Sequence, residues 1–192
     1  KRMPPDNPLR IDADLFRSQF AGATTFDLHV DSGRPGGAQD PALLAALKSW
    51  QSEVEARPGV SRVISIVDLM EQIHARMTGD EDAGLPKTRE AIAQYLLLFE
   101  SSGGEDLDRL IDFDRRALHA VAYLPTDGAR AVWDNGREAL ALAEERFGAL
   151  REGSEGPREG SGNGTIRTEV TGLVYLTGQW LDEMIAGQRK GL

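Results

Sequence analysis

The side chains best suited to metal or proton chemistry in this chain are three histidines, His29, His74 and His119. No two of them stand at the i, i+4 spacing that aims two imidazoles at one ion from a helix face. His29 falls on the polar side of a strand-like alternation, and His119 lies in a second strand-like segment. A sheet joining those strands would let them share its open face, where a metal pair is conceivable and a solvated surface is the simpler reading. The acids Asp80-Glu81-Asp82 are consecutive, whereas a calcium loop of the EF-hand type wants them at alternate positions ahead of a glycine. Glu105, Asp106, Asp108, Asp112 and Asp114 form a second acidic stretch, balanced in part by Arg109, Arg115 and Arg116, and read as a solvated face with local ion pairs. Gly160-Ser161-Gly162-Asn163-Gly164 precedes a strand and lacks a following Lys, so it reads as a linker rather than a phosphate loop. No Gly-x-Ser-x-Gly elbow occurs. These residues support no catalytic, cofactor-binding or metal site, and the expectation is a protein that is not an enzyme.

The elements that must position these residues follow from periodicity. Pro4, Pro5 and Pro8 give an extended lead-in, and Arg10–Phe20 reads as a short helix. Thr24–Asp31 alternates, with Phe26, Leu28 and Val30 on one face and Thr25, Asp27, His29 and Asp31 on the other, which predicts a half-buried strand. Asp40-Pro41 is an N-cap followed by proline at the first helical position, and Leu43, Leu47, Trp50 and Val54 share one stripe. Val60–Ile66 reads as a second strand. Val67–Met77 returns to helical period through Leu69, Met70, Ile73 and Met77. Thr88 caps a further helix reaching about Glu100, in which Tyr95–Phe99 is apolar all round. Glu105–Phe113 suggests one more short helix. Arg116–Leu124 is a third strand and Gly128–Arg151 a long helix striped by Trp133, Leu140, Phe147 and Leu150. A Gly-rich loop, Glu152–Gly164, leads to a fourth strand, Thr165–Thr171. Leu176, Trp180, Leu181, Met184 and Ile185 then mark a C-terminal amphipathic helix.

The order strand-helix-strand, helices, strand-helix-strand predicts an α+β, ferredoxin-like split sheet with helices on one face. Residues 20–66 and 116–172 would be its two halves, 67–115 a helical insertion and 173–192 a terminal helix, all within one domain. Phe26, Leu28, Val30, Ile64, Ile66, Leu118, Ile166 and Val170 are expected under two helices contributing Leu43, Leu47, Trp50, Leu140 and Phe147. The all-round apolar helix predicts either a dimer through that region, in which Leu97 and Leu98 take part, or an apolar cleft beside it.

Composition narrows the function. The 192 residues carry 22 Lys+Arg against 31 Asp+Glu, a net charge of −9, which argues against nucleic acid and against a polybasic lipid contact. With no cysteine, disulfides and thiolate sites are excluded. Hydrophobic residues make up 40% of the chain, enough for a globular core. The longest strongly apolar run, Tyr95–Phe99, falls far short of the roughly 20 residues a helix needs to cross a bilayer.

Several stretches, in this order, resemble one family: Asn7-Pro8-Leu9-Arg10, Phe20–Asp31, Gly33-Arg34-Pro35-Gly36-Gly37, Pro58-Gly59-Val60, Ser65–Leu69, Leu85-Pro86, Ala93–Leu97 and Val170-Thr171-Gly172-Leu173. Their sequence is similar to an extracytoplasmic loop, more the second than the first, of exporters of the resistance–nodulation–division (RND) superfamily in the branch of the MMPL lipid transporters. The long Gly-rich loop at 152–164 departs from that pattern. The resemblance implies a porter domain cut from a proton-driven bacterial inner-membrane exporter and lying on its extracytoplasmic (periplasmic) side. It would help to form the path for a hydrophobic or amphiphilic, lipid-like substrate. Its partners would be the membrane spans and the other loop of the same transporter, and a second copy of the chain if it self-associates. The proton relay of such exporters lies in the membrane, so no relay or substrate-binding residue carries over. The contrasting reading is a freestanding ferredoxin-like binding or protein-interaction module.

Overall fold

The computed structural model describes residues 24–103, 107–126, 128–152 and 165–190. The predicted helix at 10–20, nearly all of the Gly-rich loop and its Gly160–Gly164 motif lie outside these residues. Strand β1 (Thr24–Asp31) matches the alternation, with Phe26, Leu28 and Val30 fully buried. A single-turn 3-10 helix at Gly37–Gln39 leads into α1 (Pro41–Glu55), whose N-cap Asp40 accepts a hydrogen bond from the Ala42 N–H. Leu43, Leu44, Leu47, Trp50 and Val54 form its buried stripe.

Strand β2 (Arg62–Ser65) is shorter than the β-branched run suggests, because a capping box turns the chain into α2 (Ile66–Thr78). The Ser65 side chain accepts from the Val67 N–H, and the Asp68 carboxylate reaches back to the Ser65 N–H at 2.9 Å. Helix α3 (Arg89–Ser101) starts at Thr88, as its capping side chain predicts. Of the expected helix over 105–113, the part from Leu107 on is instead a 3-10 turn at Leu107–Arg109 followed by a one-residue bridge from Ile111 to Leu118, and residues 105 and 106 lie outside the described ones. Strand β3 (Ala117–Leu124), helix α4 (Ala129–Glu152), strand β4 (Arg167–Thr171) and helix α5 (Leu173–Lys190) complete the described chain.

The result is an α+β fold with one four-stranded sheet, in the order β2-β3-β1-β4, in which every pairing is antiparallel. One face carries Phe26, Leu28 and Val30 of β1, Val63 of β2, and Leu118, Ala120, Ala122 and Leu124 of β3, all buried in one core with α1 and α4. The α4 seam departs from the expected one. Val132, Ala139, Ala143 and Phe147 are buried, while Trp133, Leu140 and Leu150 sit half-buried beside them. The two alanines let α4 approach α1 closely enough for the Trp50 indole N–H to donate to the Ala139 carbonyl at 2.8 Å. At the solvent edge of the same junction Arg146 grips Glu53 through two bonds of 2.8 and 2.9 Å. Helix α5 lies along α4 through small residues as well. Tyr175 packs over Gly136 and against Trp133, the two rings tilted by 40° with centroids 4.8 Å apart.

Three core expectations need correction. Ile64 points to the opposite face, since Val63 and Ser65 are the inward residues of β2. Ile166 precedes β4 and is only partly buried, as is Val170. Helix α3 is amphipathic in its setting: Ile92, Tyr95 and Leu96 are buried, whereas Leu97 and Leu98 are 66% and 49% exposed.

The two faces of the sheet should separate in a stability measurement. Leu28→Ala, which empties a closed site, is expected to cost about 2–5 kcal/mol in urea unfolding. Ile64→Ala, on the open face, should cost about 1 kcal/mol or less. Equal losses would place Ile64 in the core.

Candidate functional site

The second face of the sheet is where the chemistry-bearing residues gather. Thr25, Asp27, His29 and Asp31 of β1 point there, and the register sets His29 directly opposite His119 of β3 on one side and Glu169 of β4 on the other. The sharing of one open face by His29 and His119 is therefore present in the structure. His74 is elsewhere, with its Nδ1 2.9 Å from the Tyr95 hydroxyl, joining α2 to α3.

Strand β2 covers only part of the β3 edge, from Ala120 to Tyr123. Beyond it, residues 110–112 take over that edge. The His119 N–H donates to the Leu110 carbonyl at 2.9 Å, and the Asp112 N–H donates to that of Ala117. Asp112 holds the connecting turn, its Oδ1 accepting from the N–H groups of Arg116 and Ala117 at 2.6 and 2.7 Å. Ile111 and Leu107 anchor the segment in the core. The 3-10 turn then curls over the open face, so that His119 Nδ1 lies 2.7 Å from the Arg109 carbonyl. That contact makes Nδ1 the protonated nitrogen and leaves Nε2 facing Asp27, 3.9 Å from its carboxylate.

A cleft of about 600 Å³ results, within the range of small-molecule sites, roughly 300–1,000 Å³. His29, Ile64, His119, Val121 and Tyr123 line it from the sheet, and the segment Asp108–Asp112 forms its wall. Ile64, Val121 and Tyr123 line its β2 end, while both imidazoles and every charged lining residue lie toward the 3-10 turn, interleaved with Leu110, Ile111, Ala117 and Leu118. Periodicity could have located Val121 and Tyr123, which share the parity of His119. Ile64 was hidden because Val63 beside it is β-branched as well, and the wall comes from a stretch that reads as helix.

Electrostatics at the polar end are set by burial and by one ion pair. Burial raises the Asp27 carboxyl above its ordinary value, partly opposed by His119. Asp31 is pulled the other way, chiefly by hydrogen bonds from Arg116, whose Nε and Nη2 reach its two oxygens at 2.7 and 2.6 Å. Among the described residues no group of three or more His, Asp or Glu is placed to hold a metal ion. The Asp80–Asp82 loop is exposed, with the Asp82 N–H donating to the Asp80 side chain.

No family model matches the chain. Among curated proteins, a stretch is 29% identical over 101 residues to the nucleoprotein of Phocine distemper virus, covering 51% of this chain and 19% of that protein. The chain thus spans about a fifth of that relative's length. No helix among the described residues is long and apolar enough to cross a membrane.

The opposite shifts of Asp27 and Asp31 predict opposite mutational signs. A carboxyl raised by burial destabilises the fold wherever it is ionised, so Asp27→Asn should raise the melting temperature at neutral pH. The gain should vanish once the pH falls below the unfolded value of 3.8, where Asp27 is protonated in both states. Asp31→Asn should lower it at neutral pH, the loss fading as the pH falls through the depressed folded value of Asp31.

Proposed function

We propose that this chain is a porter-type extracytoplasmic domain of an RND/MMPL-type exporter and that its open sheet face contributes to the path of a hydrophobic or amphiphilic substrate. The observation that carries the reading is the apolar cleft over β3, on a sheet face that an isolated α+β domain ordinarily fills with polar side chains. The strand order β2-β3-β1-β4, antiparallel throughout, is the one that two interleaved strand-helix-strand units produce, and it supports a ferredoxin-like arrangement. Exposed apolar side chains support a domain built to meet neighbours. Leu97 and Leu98 on α3, and Leu173, Leu176, Trp180 and Met184 on α5, are all at least 43% exposed. The short stretches that resemble the family, from Asn7-Pro8-Leu9-Arg10 to Val170-Thr171-Gly172-Leu173, also support it by their order.

In this role the domain does no bond chemistry. It offers a surface, while membrane-embedded partners supply the energy. The coding region on either side of residues 1 and 192 tests the reading. Apolar segments of about 20 residues are expected on both flanks. A stop codon soon after Leu192 with no upstream apolar segment would overturn it in favour of a freestanding binding module.

A further inference from the structure

The cleft has a gradient that says more about its occupant than its volume does. On the open face of β3, His119, Val121 and Tyr123 follow one another at two-residue spacing, and Ile64 of β2 lies opposite Val121. The β2 end is therefore an apolar trough that suits a hydrocarbon chain lying along the strand. The other end is rich in fixed negative charge. Asp108 and Asp112 line it, Asp27 stands behind His119, and Glu169 lies opposite His29. Arg109 is the one guanidinium of the lining, and Arg167 of β4 lies opposite Asp31 on the same face, so imidazoles aside the polar end carries four carboxylates against two cations, an excess of two. Asp31 is left out of this sum because Arg116 pairs with it.

We propose that this cleft takes a cationic amphiphile, its apolar chain laid over Val121, Ile64 and Tyr123 and its amine-type head among the carboxylates beside the 3-10 turn. The class of substrate, hydrophobic or amphiphilic, rests on the exporter reading; the sign of the head charge is what the cleft adds. An anionic head would meet the same carboxylates as like charges, and an uncharged head would lack the coulombic attraction to them. Acceptors dominate the rim, which also suits a head that donates hydrogen bonds.

The test is calorimetric titration of the 192-residue chain with decylammonium, decyl glucoside and decanoate, each kept monomeric. Decylammonium should bind at least about tenfold more tightly than decanoate, with the uncharged probe between them and the gap narrowing at high salt as the charges are screened. Asp108→Asn should weaken decylammonium alone. Val121→Asn should weaken all three probes, and Trp180→Ser, on the exposed stripe of α5, should weaken none. Circular dichroism of each variant confirms the fold. Decanoate binding as tightly as decylammonium would overturn the head assignment, and binding lost in Trp180→Ser but kept in Val121→Asn would overturn the location. The outcome is independent of the coding region. A selective cleft in a chain without flanking apolar segments removes the exporter reading alone, and flanking segments with an unselective cleft remove this inference alone.

Discussion

Strand β1 is hydrogen-bonded along both edges, and its register against β3 decides what each face of the sheet can be. A shift of one residue would carry Phe26, Leu28 and Val30 out of the core and drive Asp27, His29 and Asp31 beneath α1 and α4. The three apolar side chains would each forfeit about 1.5–3 kcal/mol of burial. Two carboxylates would each face a desolvation cost of several kcal/mol, with no buried cation among the described residues to meet them. Both penalties point the same way, so the register is fixed by a margin comparable with the whole stability of a small domain. The pairing of His29 with His119, the approach of Arg116 to Asp31 and the floor of the cleft all inherit that choice.

A second constraint sits where β2 gives way to α2. Ser65 is fully buried, and its hydroxyl donates to Gln51 Oε1 at 2.6 Å while accepting from the Val67 N–H. Gln51, itself nearly buried, donates through Nε2 to the Val63 carbonyl and to Asp68. Strand end, helix start and α1 are thereby tied through one polar cluster whose members satisfy each other inside an apolar setting. It ends the strand after four residues. The free length of β3 that residues 110–112 occupy is a consequence of that early stop.

Much of this was legible in the sequence where one physical signal acted alone. The alternation of β1, the Asp40-Pro41 start of α1 and the Thr88 cap each name their element and its inward face. Legibility failed where two signals competed. In α4, Trp133, Leu140, Phe147 and Leu150 fall at near-heptad spacing and look like the core stripe, yet the seam runs through Val132, Ala139 and Ala143, because small side chains are what permit close helix contact. Around Ile64 a β-branched run hides which residues point inward, and only the Ser65–Asp68 box fixes the parity. The wall of the cleft was least legible. Its conformation depends on Asp112 receiving two backbone N–H groups and on Ile111 finding Leu118, contacts that no local pattern announces.

That wall is also a piece of the sheet. Residues 110–112 are hydrogen-bonded to β3 and anchored through Ile111 in the core, while the turn just before them overhangs the open face. Whatever fills the cleft is thus thermodynamically linked to the closure of the β3 edge, since opening that edge removes one side of the container. Occupancy would slow hydrogen exchange at the His119 and Asp112 amides, which hold that edge shut. A short stretch of backbone would in this way report, from the interior of the sheet, whether its outer surface is loaded.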